Sequence, residues 1–298
     1  MKKYLVLLAA VAVGFTSCSD DDNNDNVNTK NLTLNINGLE DLGSDFTYEG
    51  WVMVNGTPIT TGVFTVDAAG SLSQTTFAVD ASTLDNATAF ILTIEPNPDP
   101  DPAPAAPKYI AGAFNGDTAS LTTGFGPAPG DFTTASGSYF LRTPTDEMPG
   151  STNNGNDTNG VWFGLPGMPP TADFNLPTLP EGWVYEGWVI GDSGPISTGV
   201  FTDFSDRDSG NGFSGTQNNA GPPVPGEDFF NNLPMGESLP FSVVGRDVVI
   251  SLEPVPDNSP APFTLKPLAS TAGSATAPAS QSFTNNVMNS FPTGSVTR

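Results

Sequence analysis

The sequence predicts an all-β protein: two tandem, related antiparallel β-sandwich domains behind a signal peptide and an acidic linker. Three observations predict it. Three short motifs occur twice in the same order. The apolar residues around them alternate with a period of two, as on strands that turn one face inward. The chain is also rich in turn formers, with 32 Gly and 29 Pro, while 37% hydrophobic and 10% aromatic residues leave enough to build a core. The segments read as 1–17 signal peptide, 18–30 acidic linker, 31–130 first repeat and 131–298 second repeat, the second carrying an inserted loop near 206–236.

The chain opens with Lys2 and Lys3 and then runs apolar from Tyr4 to Val13. A positive start, a short apolar run and small residues make a secretory signal. The run falls short of the ~20 apolar residues that span a bilayer. Gly14-Phe15-Thr16-Ser17-Cys18 closes it and resembles the lipobox of bacterial lipoproteins, which implies cleavage before Cys18 and acylation of that cysteine. Cys18 is the only cysteine, so no internal disulfide can form. A lipid anchor on Cys18 would make a membrane its first partner. The tract Ser19-Asp20-Asp21-Asp22-Asn23-Asn24-Asp25-Asn26 reads most simply as a solvated spacer. It also resembles the export signal of surface-exposed lipoproteins in some Gram-negative bacteria. The expected address is the outer membrane, surface-exposed, with the periplasm as the alternative.

The formal net charge is −23, and removing Lys2 and Lys3 takes it to −25. Such a chain repels phosphate backbones, and nine Lys+Arg residues offer no basic patch, so nucleic-acid binding is excluded.

The repeat organises everything downstream. Tyr48-Glu49-Gly50-Trp51-Val52 recurs as Tyr185-Glu186-Gly187-Trp188-Val189. Gly62-Val63-Phe64-Thr65 recurs as Gly199-Val200-Phe201-Thr202, and Thr93-Ile94-Glu95-Pro96 as Ser251-Leu252-Glu253-Pro254. The interval from Trp to Glu-Pro grows from 44 residues (51 to 95) to 65 (188 to 253), which places about 21 extra residues in a surface loop of the second copy. Phe90, Leu92 and Ile94 alternate with Ile91, Thr93 and Glu95, and Val248, Ile250 and Leu252 with Val249, Ser251 and Glu253, so one row of each is expected in the core and the other outward. Asn55-Gly56 is a hairpin turn and Gly70-Ser71 another. Pro96 and Pro254 end their strands. Leu84 to Ala87 has room for one helical turn. The Pro-rich tracts 96–107 and 254–262 read as extended crossovers within each domain. Tyr139-Phe140-Leu141 and Val161-Trp162-Phe163 read as entry strands of the second copy.

Together these residues resemble the extracytoplasmic C-terminal domain of anti-sigma-K factors. The matching positions are Tyr48, Trp51, Gly62, Phe64, Glu95 and Pro96, and again Tyr185, Trp188, Gly199, Phe201, Glu253 and Pro254, with Leu179-Pro180 as the lead-in. The cytoplasmic sigma-binding domain, His/Cys zinc motif and transmembrane helix of those factors have no counterpart here. The resemblance therefore implies a shared outer domain and not sigma binding.

The residues for chemistry are few. With no histidine, the usual zinc sites, Ser-His-Asp triads and histidine acid–base catalysis are absent. Glu49, Glu95, Glu186 and Glu253 are repeated acids of the kind glycoside hydrolysis needs in pairs. Because each recurs inside its motif, a hydrogen-bonding structural role is the stronger reading. Asp203, Asp206, Asp208 and Asn211 in the insertion are oxygen donors for weak Ca²⁺ binding, but their spacing does not match D-x-[DN]-x-[DN]-G, and a solvated loop is the stronger reading. No cofactor and no dedicated metal site is expected. Trp51 and Trp188 share a strand face with Glu49 and Glu186, and Trp162 with Phe229 and Phe230 lies in or near less constrained segments. Exposed, these aromatics would bind a glycan or peptide; buried, they are core. The leading expectation is a non-enzymatic envelope lipoprotein with a structural or interaction role. The alternatives are a glycan- or peptide-binding surface module, or an envelope-stress component working through a membrane-spanning partner.

Overall fold

A computed structural model describes residues 28–147, 154–214, 221–257 and 259–298. The expected signal peptide, Cys18 and the acidic tract lie outside the described residues. Antiparallel strands dominate, as the alternation predicts. The first half holds β1 (Thr29–Asn37), β2 (Phe46–Val54), β3 (Thr57–Phe64), β4 (Thr76–Asp80), β5 (Ala89–Pro96), β6 (Lys108–Asn115) and β7 (Thr118–Leu121). One helix, α1 (Ala81–Asn86), follows β4, and Asp80 caps it by accepting the N–H of Thr83 at 2.9 Å. Then come β8 (Ser136–Phe140), β9 (Gly160–Phe163), β10 (Phe174–Asn175), β11 (Trp183–Ile190), β12 (Pro195–Phe201), β13 (Gly226–Asp228), β14 (Asp247–Pro254), β15 (Leu268–Thr271), β16 (Gln281–Ser282) and β17 (Thr284–Asn285). A short α2 (Val287–Ser290) leads into β18 (Thr293–Thr297).

The duplicated motifs occupy matching places. Strand β2 lies between β3 and β5, and β11 between β12 and β14, all antiparallel. Register shifts fall between Gly50 and Trp51 and between Gly187 and Trp188, so both motif strands bulge at the same residue. The hairpin at Asn55-Gly56 has positive φ at both positions, 51° and 80°, which suits a two-residue turn whose twist matches its strands. The Tyr48 hydroxyl donates to the Glu40 carbonyl at 2.9 Å, and that of Tyr185 to the Pro177 carbonyl at 2.6 Å. Strands β5 and β14 end at Pro96 and Pro254.

The sheets also depart from a simple tandem. One sheet runs β3-β2-β5-β6-β7-β18-β1-β4, so a strand from residues 293–297 sits inside a sheet otherwise built by residues 29–121. The main apolar core is continuous across both halves, with Tyr109 packed against Trp183 and Phe263 at ring separations of 5.9 and 5.4 Å. The outer row of β5 is buried too: Ile91 joins Trp51, Ala111 and Ala128 in a small cluster under Phe125, and Thr93 and Glu95 lie beneath the Pro-rich crossover. The alternation identified strands correctly, but it could not show that loops would cover the second face. Among the described residues no helix is long and apolar enough to cross a membrane.

Candidate functional site

The repeated acids, tryptophans and hydroxyls form one network, built twice. In the first copy Trp51 Nε1 donates to Thr93 Oγ1 at 2.9 Å, Thr93 Oγ1 donates to Glu95 Oε1, and the N–H of Ala105 donates to both Glu95 oxygens at 2.9 and 3.1 Å. In the second, Trp188 Nε1 donates to Ser251 Oγ at 2.7 Å, Ser251 Oγ to Glu253 Oε1, and the N–H of Phe263 to both Glu253 oxygens at 2.9 and 3.2 Å. The neighbouring acids follow suit: Thr60 donates to Glu49 and Ser197 to Glu186. Period-2 spacing explains the alignment. Thr93 and Glu95 point the same way on β5, and Trp51, two residues beyond Glu49 on β2, lies on the adjoining strand and the same face.

Each network fastens a crossover. Glu95 and Glu253 are 0% exposed, and their oxygens receive donors from the proline-rich segment that follows them by about ten residues. Proline supplies no N–H, so the non-proline residues Ala105 and Phe263 supply the donors. Burial pushes the Glu253 carboxyl up to about 8, opposed by Ser251 and Phe263. Burial also raises Glu49 and Glu186, with Glu95 and Asp99 adding repulsion at Glu49 and Asp257 at Glu186.

The same geometry gathers carboxylate oxygens. Glu49, Glu95 and Asp99 each place one oxygen within 4.8 Å of the others, and so do Glu186, Glu253 and Asp257. Oxygen sets of this kind suit a hard cation such as Ca²⁺. The N–H and O–H donors already on Glu95 and Glu253 compete with that use and favour the fastening role. The acids of the insertion do not converge in this way among the described residues. Asp203 accepts from Ser205, and Asp208 accepts the N–H groups of Gly210 and Gly226 at 3.0 and 2.8 Å. Asp203, Asp206 and Asn211 are exposed, and of the four only Asp208 is turned into the loop, where two backbone N–H groups occupy its oxygens.

The tryptophans are not a binding platform. Trp51, Trp162 and Trp183 are each 3% exposed and Trp188 2%. Their N–H groups are all taken, that of Trp162 by the Arg142 carbonyl at 3.0 Å and that of Trp183 by the Lys108 carbonyl at 3.2 Å. Phe229 is fully buried as well. The faces of the tryptophans and of Phe229 are therefore covered against a sugar ring, while Phe230 is half-buried.

No family model, curated protein or solved structure matches this chain.

An open cleft lies elsewhere among the described residues, at a place that no sequence motif marks. About 630 Å³ in volume, it is lined by Asp192, Ser242, Arg246, Asp247 and Thr271. Arg246 bonds both Asp192 oxygens at 2.9 and 3.2 Å and the Ser242 carbonyl at 3.0 Å, and its guanidinium sits 4.4 Å from the Phe241 ring centroid. The signal available in the sequence was Arg246 itself, one of nine cations in a strongly acidic chain.

Proposed function

We propose that this protein is a lipid-anchored cell-envelope protein, exported by its signal peptide and acylated at Cys18, whose duplicated β-domain serves a structural or interaction role rather than catalysis. The observation that carries the non-catalytic part is the consumption of the repeated acids by the fold. Glu95 and Glu253 are buried with donors on both oxygens, so neither faces a space where a substrate could sit. The likeness of the repeated motifs to the outer domain of anti-sigma-K factors supports an extracytoplasmic setting without sigma binding. The acidic tract after Cys18 supports the outer membrane and its outer face.

The experiment compares wild type with Cys18→Ala in cells, by intact mass and by protease accessibility. An acylated N-terminus at Cys18 and removal of the domain by external protease support the proposal. An unacylated or protected protein moves the address to the periplasm or to secretion.

A second reading, a glycan- or peptide-binding module, draws on one observation: the open cleft around Arg246 and Asp247, which is polar and free of the duplicated fastening. Loss of ligand capture on Asp247→Ala, with unchanged stability, would support it.

A further inference from the structure

The order of strands shows an exchange between the two repeats. The first sheet reads β3-β2-β5-β6-β7-β18-β1-β4. In the second half β12-β11-β14-β15-β17 form one sheet and β8-β9-β13 lie in another, joined because β16, just before β17 in the chain, pairs with β8. Apart from β10, which pairs with the start of β8, the two orders match with every pair antiparallel, β16 and β17 together standing where β7 stands and β8 where β18 stands. Both strands carry the same short motif: Gly137-Ser138-Tyr139 in β8 and Gly294-Ser295-Val296 in β18. Gly137 follows Glu95 by 42 residues (95 to 137), and Gly294 follows Glu253 by 41 (253 to 294), so each strand counts as the last element of its own repeat, which moves β8 from the entry of the second copy to the end of the first. Yet β8 pairs in the second repeat and β18 in the first. Phe132, ahead of β8, meets Phe291, ahead of β18, ring to ring at 5.3 Å, where the two departing segments pass each other.

We infer that β18 is an exchangeable donor strand, and that the slot between β1 and β7 is a binding site for the C-terminal strand of a second copy of this chain. The slot already takes its strand from another repeat, so its closure does not depend on which repeat follows in the same chain. It reads the donor closely. A Cβ on Gly294 would collide with the backbone of Ile36, Val296 is fully buried, and the Arg298 guanidinium reaches the carbonyls of Leu84, Ala87 and Gly116. A second copy offers the same strand with the same register, so exchange remakes the pairing of β18 with β1 and β7 and rearranges only the segment ahead of it, which is why swapping is a low-cost route to association. This inference rests on strand order and not on the address proposed above.

Cysteine pairs test it in a full chain carrying Cys18→Ala. Asn35 and Ser295 are register partners, so cysteines there sit within disulfide reach. Chains with Asn35→Cys and chains with Ser295→Cys are unfolded, mixed, refolded together at high concentration and oxidised. The expected result is a disulfide between one chain of each kind, identified by mass, and its loss when Val296→Asp is added to the Ser295→Cys chain. The double variant, with both cysteines in one chain, is expected to close internally. Closure in the double variant with no mixed pair overturns the exchange, and failure of the double variant to close overturns the strand placement itself.

Discussion

Glu253 receives the backbone N–H of Phe263 on both carboxylate oxygens and thereby ties the end of β14 to the far side of the proline-rich crossover. Burial raises its pKa from 4.5 to about 8. The folded chain holds a proton there that the unfolded chain releases at a lower pH. The contribution to stability is full below about 4.5 and is lost as the pH rises through about 8. Asp208 and Asp228, each raised to about 7 by burial, act in the same direction. The melting temperature is therefore expected to fall across that window. Glu253→Gln stays neutral and keeps a carbonyl for the Phe263 N–H. It should gain on wild type at the alkaline end by on the order of 5 kcal/mol, at about 1.4 kcal/mol per pKa unit over the rise from 4.5 to about 8, and match it at the acid end. Thermal melts against pH check this, and equal slopes for the two proteins would contradict it.

The four tryptophans give a second expectation. All are buried with their N–H groups bonded, so emission should be blue-shifted and resistant to iodide until the chain unfolds. Adding soluble glycans should leave it unchanged. Trp188→Phe removes the donor to Ser251 and part of the ring, at a cost of about 1–3 kcal/mol. Ready quenching of the native protein by iodide would place a tryptophan at the surface and revive the stacking site.

What was legible in the sequence followed from local rules. The motif strands, the Asn55-Gly56 turn, the stops at Pro96 and Pro254 and the helical turn near Leu84 all came from pairing period, turn chemistry or proline's missing donor. The burial of Trp51, Thr93 and Glu95 was not legible, because it depends on the 125–128 loop and the crossover folding back over the sheet's outer face. Nor was β18. Thr293-Gly294-Ser295-Val296-Thr297 has a single apolar anchor and no alternation to announce it. Its signal was the repeated Gly-Ser at a nearly constant distance after each Glu-Pro.

The repeated glycines Gly62 and Gly199 separate the two copies by what lies against them. Both have φ +126°, a conformation that side chains strain to adopt. At Gly62 an added Cβ would meet the Phe77 ring at 2.8 Å, and a ring can shift. At Gly199 it would overlap the backbone of Gly210 in the insertion, which has less freedom to give. Gly62→Ala should cost about 1–3 kcal/mol, and Gly199→Ala more, with the 206–214 segment losing amide protection. Denaturant melts and hydrogen exchange read both, and equal costs would mean the insertion is not pinned there.

Arg298 tests how firmly the C-terminal strand is latched. Its guanidinium donates to the Leu84 and Ala87 carbonyls at the end of α1 and to the Gly116 carbonyl at 3.1 Å, and it lies 4.4 Å from the Phe114 ring centroid. Those carbonyls lie at the end of α1 and in the turn between β6 and β7, so one cation ties the two elements together. Arg298→Ala should destabilise the chain by about 1–2 kcal/mol. Faster amide exchange should be confined to 81–87 and 114–121 and leave β11 and β14 untouched. Arg298→Lys should recover only part of the loss, because one ammonium cannot span carbonyls on both elements as the planar fork does. A loss spread evenly over both repeats would show instead that β18 is held by the common core and not by its latch.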